Sequence, residues 1–213
     1  MGVKERQERE REAVARGILD AARELFVAEG YQNVSIRKIA EKIEYSPAAI
    51  YSYFPSKDDI FLALAEEGFR LLLTECEEPP AGPPSVDAIR AGFFRLYDFS
   101  KTHPEYFALM FLDRSVPRIS RDWERFGFVR DMKKAVAEQI QAVIDAGDFP
   151  PGTKADSVFR ILLAAIHGVA VMRLCERLAP GEDADALARD TLEAALTGLR
   201  AGSPHTFHPS ACN

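Results

Sequence analysis

Ser46, Tyr51, Ser52, Tyr53 and Lys57 fall within one short run, "YSPAAIYSYFPSKDD", Tyr45 to Asp59. Four hydroxyls and an ammonium suit one acceptor above others, the phosphate oxygen, with the tyrosine rings free to pack on sugars. The residues of enzymes are sparse by comparison. The chain has four histidines (His103, His167, His205, His208) and three cysteines (Cys76, Cys175, Cys212), with no H-E-x-x-H, C-x-x-C or phosphate loop. His205 and His208 have a metal-compatible spacing, but they sit in a terminal tail expected to be disordered. No catalytic residue, metal or cofactor is therefore expected.

The elements around the run read as helices. Ser46-Pro47 is a start signal, because serine caps exposed amides and proline lacks the N–H that has no helical partner. One turn earlier, Ser35 precedes "IRKIAEKI", whose Ile36, Ile39, Ala40 and Ile43 form an apolar stripe. Val14, Ile18, Ala21, Ala22, Leu25 and Phe26 give a first helix that Gly30 ends; its charged N-terminal extension is expected to fray or stay solvated. Ser56 with Asp59 resembles a capping box opening a helix to about Glu77. Residues 35–54 thus have helix-turn-helix spacing. Ile36, Ile39, Ile43 and Ile50 account for the core of the unit. Ser46, Pro47, Ala48, Ala49, Tyr51, Ser52 and Tyr53 are left without a place in that core. On spacing alone, a reader of the DNA major groove and a packed turn between helices both remain open.

The stretch "GYQNVSIRKIAEKIEYSPAAIYSYFPSKDDIFLAL", Gly30 to Leu64, resembles the DNA-binding domain of tetracycline-repressor (TetR/AcrR-type) regulators. The resemblance implies an all-α fold with a three-helix DNA-binding domain and a larger C-terminal helical bundle, about nine helices in all. It implies phosphate contacts from Ser35 and Arg37, groove contacts from Ser46, Pro47, Ala48, Ala49 and Ser52, and backbone anchors at Tyr51, Tyr53 and Lys57. The sequence departs from the pattern at Glu44, where glycine is common and positive φ is easier, and at Tyr53, where histidine is common. Alanines at 48 and 49 carry no hydrogen-bonding code, which shifts weight to thymine methyls and DNA shape.

Beyond "EEPPAGPP" (Glu77–Pro84), further helices are expected over "SVDAIRAGFFRLYDFSKT", after Pro104, from about Ser120 to Ala146, from Thr153 to about Leu178, and after "PGED" to about Leu199. "AAIHGVAVM" is similar to a Trp-His-Gly-type C-terminal domain of the same family, with isoleucine in place of tryptophan. Aromatic residues crowd the region: Phe93, Phe94, Tyr97, Phe99, Tyr106, Phe107, Phe111, Trp123, Phe126 and Phe128. Beyond plain core, they suggest walls for an apolar small-molecule effector. The expected pocket comprises Phe93, Tyr97, His103, Tyr106, Phe107, Met110, Phe111, Phe126, Arg130 and His167. The helix over 154–178 is apolar on more than one face and so is buried on several sides. Val158, Leu162, Ala165, Val169 and Met172 are expected to meet Leu192, Ala195, Leu196 and Leu199 in a homodimer interface, with intrachain core as the alternative.

The composition agrees with this division. The net charge is −6, which argues against indiscriminate coating of nucleic acid. Residues 1–57 hold ten Lys/Arg against nine Asp/Glu, and the rest hold 17 against 24. No run reaches the length of a membrane span and no export signal is seen, so a cytoplasmic protein is expected. The expected organisation is a DNA-binding domain over 1–55, a connecting helix over 56–78, a ligand-binding and dimerisation domain over 79–201, and a tail over 202–213. The expected partners are a double-stranded DNA operator, a small-molecule effector and a second copy of the chain, with no membrane. The rival reading is a helical ligand-binding or scaffolding dimer without specific DNA binding.

Overall fold

The computed structural model describes residues 2–76, 83–113, 117, 124–202 and 207. Among these, every regular element is helical: α1 (Val3–Glu29), a 3-10 turn (Tyr31–Asn33), α2 (Ile36–Lys42), α3 (Pro47–Tyr51), α4 (Lys57–Cys76), α5 (Val86–Thr102), α6 (Pro104–Phe111), α7 (Gly127–Asp145), α8 (Ala155–Leu174) and α9 (Ala184–Arg200). Trp123, the tail histidines and Cys212 lie outside the described residues, as does most of the proline-rich break.

The chain divides into two compact units. The first takes the described residues between 2 and 70 and between 105 and 126, and the second takes those between 71 and 104 and from 127 onward. The boundary falls inside α4, which runs through it unbroken.

In the first unit, Ile18, Ala22 and Phe26 of α1, Ile39 and Ala40 of α2, Ile50 of α3 and Ile60, Phe61 and Leu64 of α4 are buried together. Gly30 stops α1 at φ 80, with its N–H on the Phe26 carbonyl. The charged start of α1 is part of the helix from Val3 onward, and its side chains over 4–13 are exposed, in line with solvation. The Glu5 carboxylate accepts from the Gly2 N–H at 3.0 Å, and Arg6 pairs with Glu10 at 3.0 Å. Tyr31 sits between the Phe26 and Phe61 rings, 5.2 and 5.6 Å away, and its hydroxyl donates to Asp58. Burial and that carboxylate push the phenol well above its usual range.

A partly buried polar chain links α1, α4 and α6. Arg16 bonds Asp20 at 2.6 Å and Glu67 at 2.7 Å, and Arg23 reaches Asp20 at 3.1 Å and the Tyr106 hydroxyl at 2.8 Å. The Arg16 hydrogen bond holds the Asp20 carboxyl below the usual carboxylate range. Beside this chain α4 and α6 approach so closely that a Cβ at Gly68 would lie 2.6 Å from Met110 Sδ.

In the second unit, α8 packs against α9, α7 and α5. By length and mean hydropathy, 1.6, α8 could cross a membrane. Here Val158, Leu162, Ile166, Val169 and Ala170 are core. Tyr97 is fully buried and donates to Asp185 at 2.8 Å; Lys101 bridges Asp185 and Asp98 at 3.1 and 2.8 Å. Arg173 ends the core stripe and donates to the Ser100 carbonyl, in the last turn of α5 where carbonyls lack helical partners.

Three helix bounds differ from expectation. α7 begins at Gly127, because residues 124–126 form a turn. Thr153 is not the cap of α8: its hydroxyl closes a turn on the Pro150 carbonyl at 2.7 Å, and Lys154 stands at the cap without a side-chain bond. α8 ends at Leu174 because Glu176 turns left-handed, φ 52, and the Arg177 N–H closes back on the Met172 carbonyl at 2.8 Å.

Candidate nucleic-acid interface

The α2–α3 pair is built by two serine caps. Ser35 Oγ accepts from the Lys38 N–H at 3.2 Å and Ser46 Oγ from the Ala49 N–H at 3.1 Å. Each cap satisfies an amide that the first helical turn leaves open. Between them Glu44 takes φ 60, so the turn keeps the left-handed geometry that suits glycine and the glutamate carries its strain. The Tyr45 N–H returns to the Ala40 carbonyl at 2.9 Å.

α3 is held by a single deeply buried side chain, Ile50. Ser46, Pro47, Ala48, Tyr51 and Ser52 are exposed, and Ala49 and Tyr53 are half-buried. Tyr51 is 54% exposed. The residues that core packing left unexplained are therefore displayed on one short element. Tyr45, absent from the sequence-based set, is 45% exposed directly ahead of the Ser46 cap, and that position in the run was the signal for it. Ser52 Oγ donates to the Ala49 carbonyl at 2.7 Å, so toward a ligand it presents lone pairs.

The cations nearby are mostly engaged. On α2, Arg37 pairs with Glu41 at 2.9 Å, Lys38 with Glu29, and Lys42 with Glu24 at 2.9 Å. Lys57 donates to the Tyr31 and Val34 carbonyls at 2.8 and 3.0 Å and lies 4.0 Å from the Tyr31 ring centroid. It pins the entry to α2 and keeps one proton for another acceptor.

The expected effector residues fall in both units. Tyr106, Phe107 and Phe126 are buried in the first, where Phe107 and Phe111 meet at a tilt, 4.9 Å between centroids, and Phe69 meets Phe111 and Phe126 edge-on at 6.0 and 6.2 Å. Met110 lies there against Gly68. In the second unit Phe93 meets Phe159 at 5.8 Å, and His103 bonds Glu75 at 2.9 Å. His167 bonds the Leu163 carbonyl at 3.1 Å, and burial pushes its imidazole below its ordinary pKa. Arg130 is a correction: it is exposed beside Asp131 on α7, not turned toward the interior.

The expected dimer stripe needs a larger correction. Val158, Leu162, Val169, Leu192, Leu196 and Leu199 are buried inside the chain itself, where α8 meets α9, α5 and α7. They follow the alternative of intrachain core, none more than 7% exposed. Ala165 and Ala195 are half-buried and Met172 is exposed, in line with Ala164 and Gly168 on the outer side of α8.

Among the described residues no group of three or more His, Cys, Asp or Glu side chains could hold a metal ion. Residues 18–64 match the family described as bacterial regulatory proteins, tetR family, and residues 89–195 match a tetracyclin repressor-like C-terminal domain. The HTH-type transcriptional repressor AcnR of Corynebacterium diphtheriae is 27% identical over 189 residues, spanning 88% of this chain and 92% of its own. Two solved structures share the fold. FadR of Bacillus subtilis, in complex with stearoyl-CoA, has a TM-score of 0.69 at 16% identity, over 86% of this chain and 98% of its own. The ketosteroid transcriptional regulator KstR2 of Mycobacterium tuberculosis has 0.63 at 18%, over 87% and 94%. The two matches take in both the α2–α3 pair and the helices from α5 to α9: the chain belongs to the tetR family of bacterial regulatory proteins.

Proposed function

We propose that two copies of this chain set their α3 helices into successive major grooves of a palindromic operator, about 34 Å apart, and that a small apolar effector releases them. The observation that carries this reading is the exposure of α3: one side chain is fully buried, while Ser46, Pro47, Ala48, Tyr51 and Ser52 are exposed. Tyr51 and Tyr53 anchor phosphates, with Ser35, Arg37 and the spare proton of Lys57. Pro47, Ala48 and Ala49 meet base methyls, and Ser46 and Ser52 accept at groove edges.

The second copy packs on the outer side of α8, where Ala164, Gly168 and Met172 leave apolar and small residues at four-residue spacing. Small residues let helices approach closely, and α9 adds Ala195 alongside. The effector binds within residues 79–201, with Phe93 of α5 and His167 of α8 on its path. Stearoyl-CoA in the B. subtilis FadR structure is a relative's ligand with a long apolar body, in keeping with the aromatic content here. Because α4 runs unbroken from one unit into the other, an effector that prefers one α4 position shifts the population between DNA-competent and DNA-incompetent dimers.

The test is selection of duplexes from a random-sequence pool by the full-length protein, followed by anisotropy titration of the enriched duplex at two salt concentrations. A palindrome bound tightly, salt-sensitively, and weakly by Tyr51→Ala supports the reading. Enrichment of no sequence, or full binding by Tyr51→Ala, overturns it.

A further inference from the structure

We infer that Arg11, on the part of α1 that precedes the helix-turn-helix, is a further DNA contact. It holds a backbone phosphate at the edge of the site read by α3. The inference rests on α3 being the reading element.

Residues 4–13 of α1 are helical and exposed on all sides, so this arm has no packing role. Its sum of charge is zero: Lys4, Arg6, Arg9 and Arg11 are matched by Glu5, Glu8, Glu10 and Glu12. Position distinguishes Arg11. Its guanidinium carbon lies 5.6 Å from the centroid of the Tyr53 ring, which places an α1 cation beside the last residue of the reading segment. Arg6 is tied to Glu10, and Arg9 donates to the Glu5 carbonyl. On α2, Arg37, Lys38 and Lys42 each have a carboxylate. Arg11 has no carboxylate partner among the described residues. A guanidinium stacked on an aromatic face keeps its edge donors free, and that fork matches a phosphate. Arg11 lies outside residues 18–64, so the family match assigns it no role.

The chemistry adds one element to the interface. Tyr53 holds the guanidinium at its ring face, and a phenol hydroxyl can donate to a second phosphate, so the pair can bracket one strand outside the groove. One more neutralised phosphate steepens the salt dependence of binding by about 0.9 in the log–log slope, without changing which sequence is preferred.

Full-length wild type, Arg11→Ala, Arg11→Lys and Tyr51→Ala are titrated against the enriched palindrome and against a random-sequence duplex, each over a range of salt. Arg11→Ala is expected to weaken both duplexes about three- to tenfold at moderate salt, to lower the slope by about 0.9, and to leave the melting temperature unchanged. Arg11→Lys is expected to restore the slope but not the whole affinity, because an ammonium neither forks nor stacks as a guanidinium does. If Arg11→Ala leaves affinity and slope unchanged while Tyr51→Ala loses binding, the Arg11 contact is overturned and the α3 reading stands. If Tyr51→Ala binds like wild type, α3 is not the reader and the Arg11 contact falls with it.

Discussion

α3 and α8 make opposite use of exposure. α3 buries one residue, half-buries Ala49, and displays Pro47, Ala48 and Tyr51. α8 buries a full stripe and still leaves Ala164, Gly168 and Met172 outside. In a short helix with one anchor, whatever is not the anchor is available for a partner. In a long helix apolar on several sides, only the enclosure of one face reveals which other face is free.

The sharpest way to break this contrast is to exchange the roles of inner and outer positions on α8. Leu162→Ala deletes a fully buried side chain. It is expected to cost about 2–5 kcal/mol of stability, measured by chemical denaturation, whereas Tyr51→Ala leaves stability within about 0.5 kcal/mol. Equal losses would mean that α3 and α8 do not differ as described. Next in size, Ala164→Glu puts a charge on the outer side of α8. Sedimentation velocity is expected to show at least a tenfold weaker dimer, about 1.4 kcal/mol, with helicity retained. A dimer of unchanged strength would move the interface elsewhere.

Glu44→Gly sharpens the comparison from the α3 side. Relief of the left-handed strain outweighs the added freedom of the unfolded chain, so the melt is expected to show a gain of about 0.5–1 kcal/mol. A loss would mean that the glutamate side chain contributes more than its backbone costs. The smallest effect is on pH. His167 is held neutral by burial, its folded pKa below the ordinary 6.5. Its contribution is present at neutral pH and is lost as pH falls from the ordinary value through the folded one. His167→Gln is expected to flatten that part of the stability profile; a wild-type slope in the variant would assign it to other groups, the Asp20 carboxyl acting only at lower pH.

The same contrast explains what could be read in advance. Caps are local: Gly30, Ser35, Ser46 and Ser85 each act on atoms three or four residues away, so the helix starts and stops they govern are visible in order of sequence. The exposed face of α3 was legible by subtraction, since Ile50 alone was needed for packing. The failures concern partners distant in sequence. The stripe from Val158 to Val169 looks the same whether α9 and α5 or a second copy covers it. Lys57 reads as a free ammonium until the Tyr31 and Val34 carbonyls are folded onto it. Arg130 looks like a pocket cation only while the rotation of α7 is unknown. Thr153 satisfies every local rule for a cap, and Pro150 takes its hydroxyl instead.

The three carboxylates that occupy Arg37, Lys38 and Lys42 bear on how these cations could meet DNA. Such exposed pairs are weak, so a phosphate can take Arg37 from Glu41 on contact, but each exchange gains less than contact by an unpaired cation would.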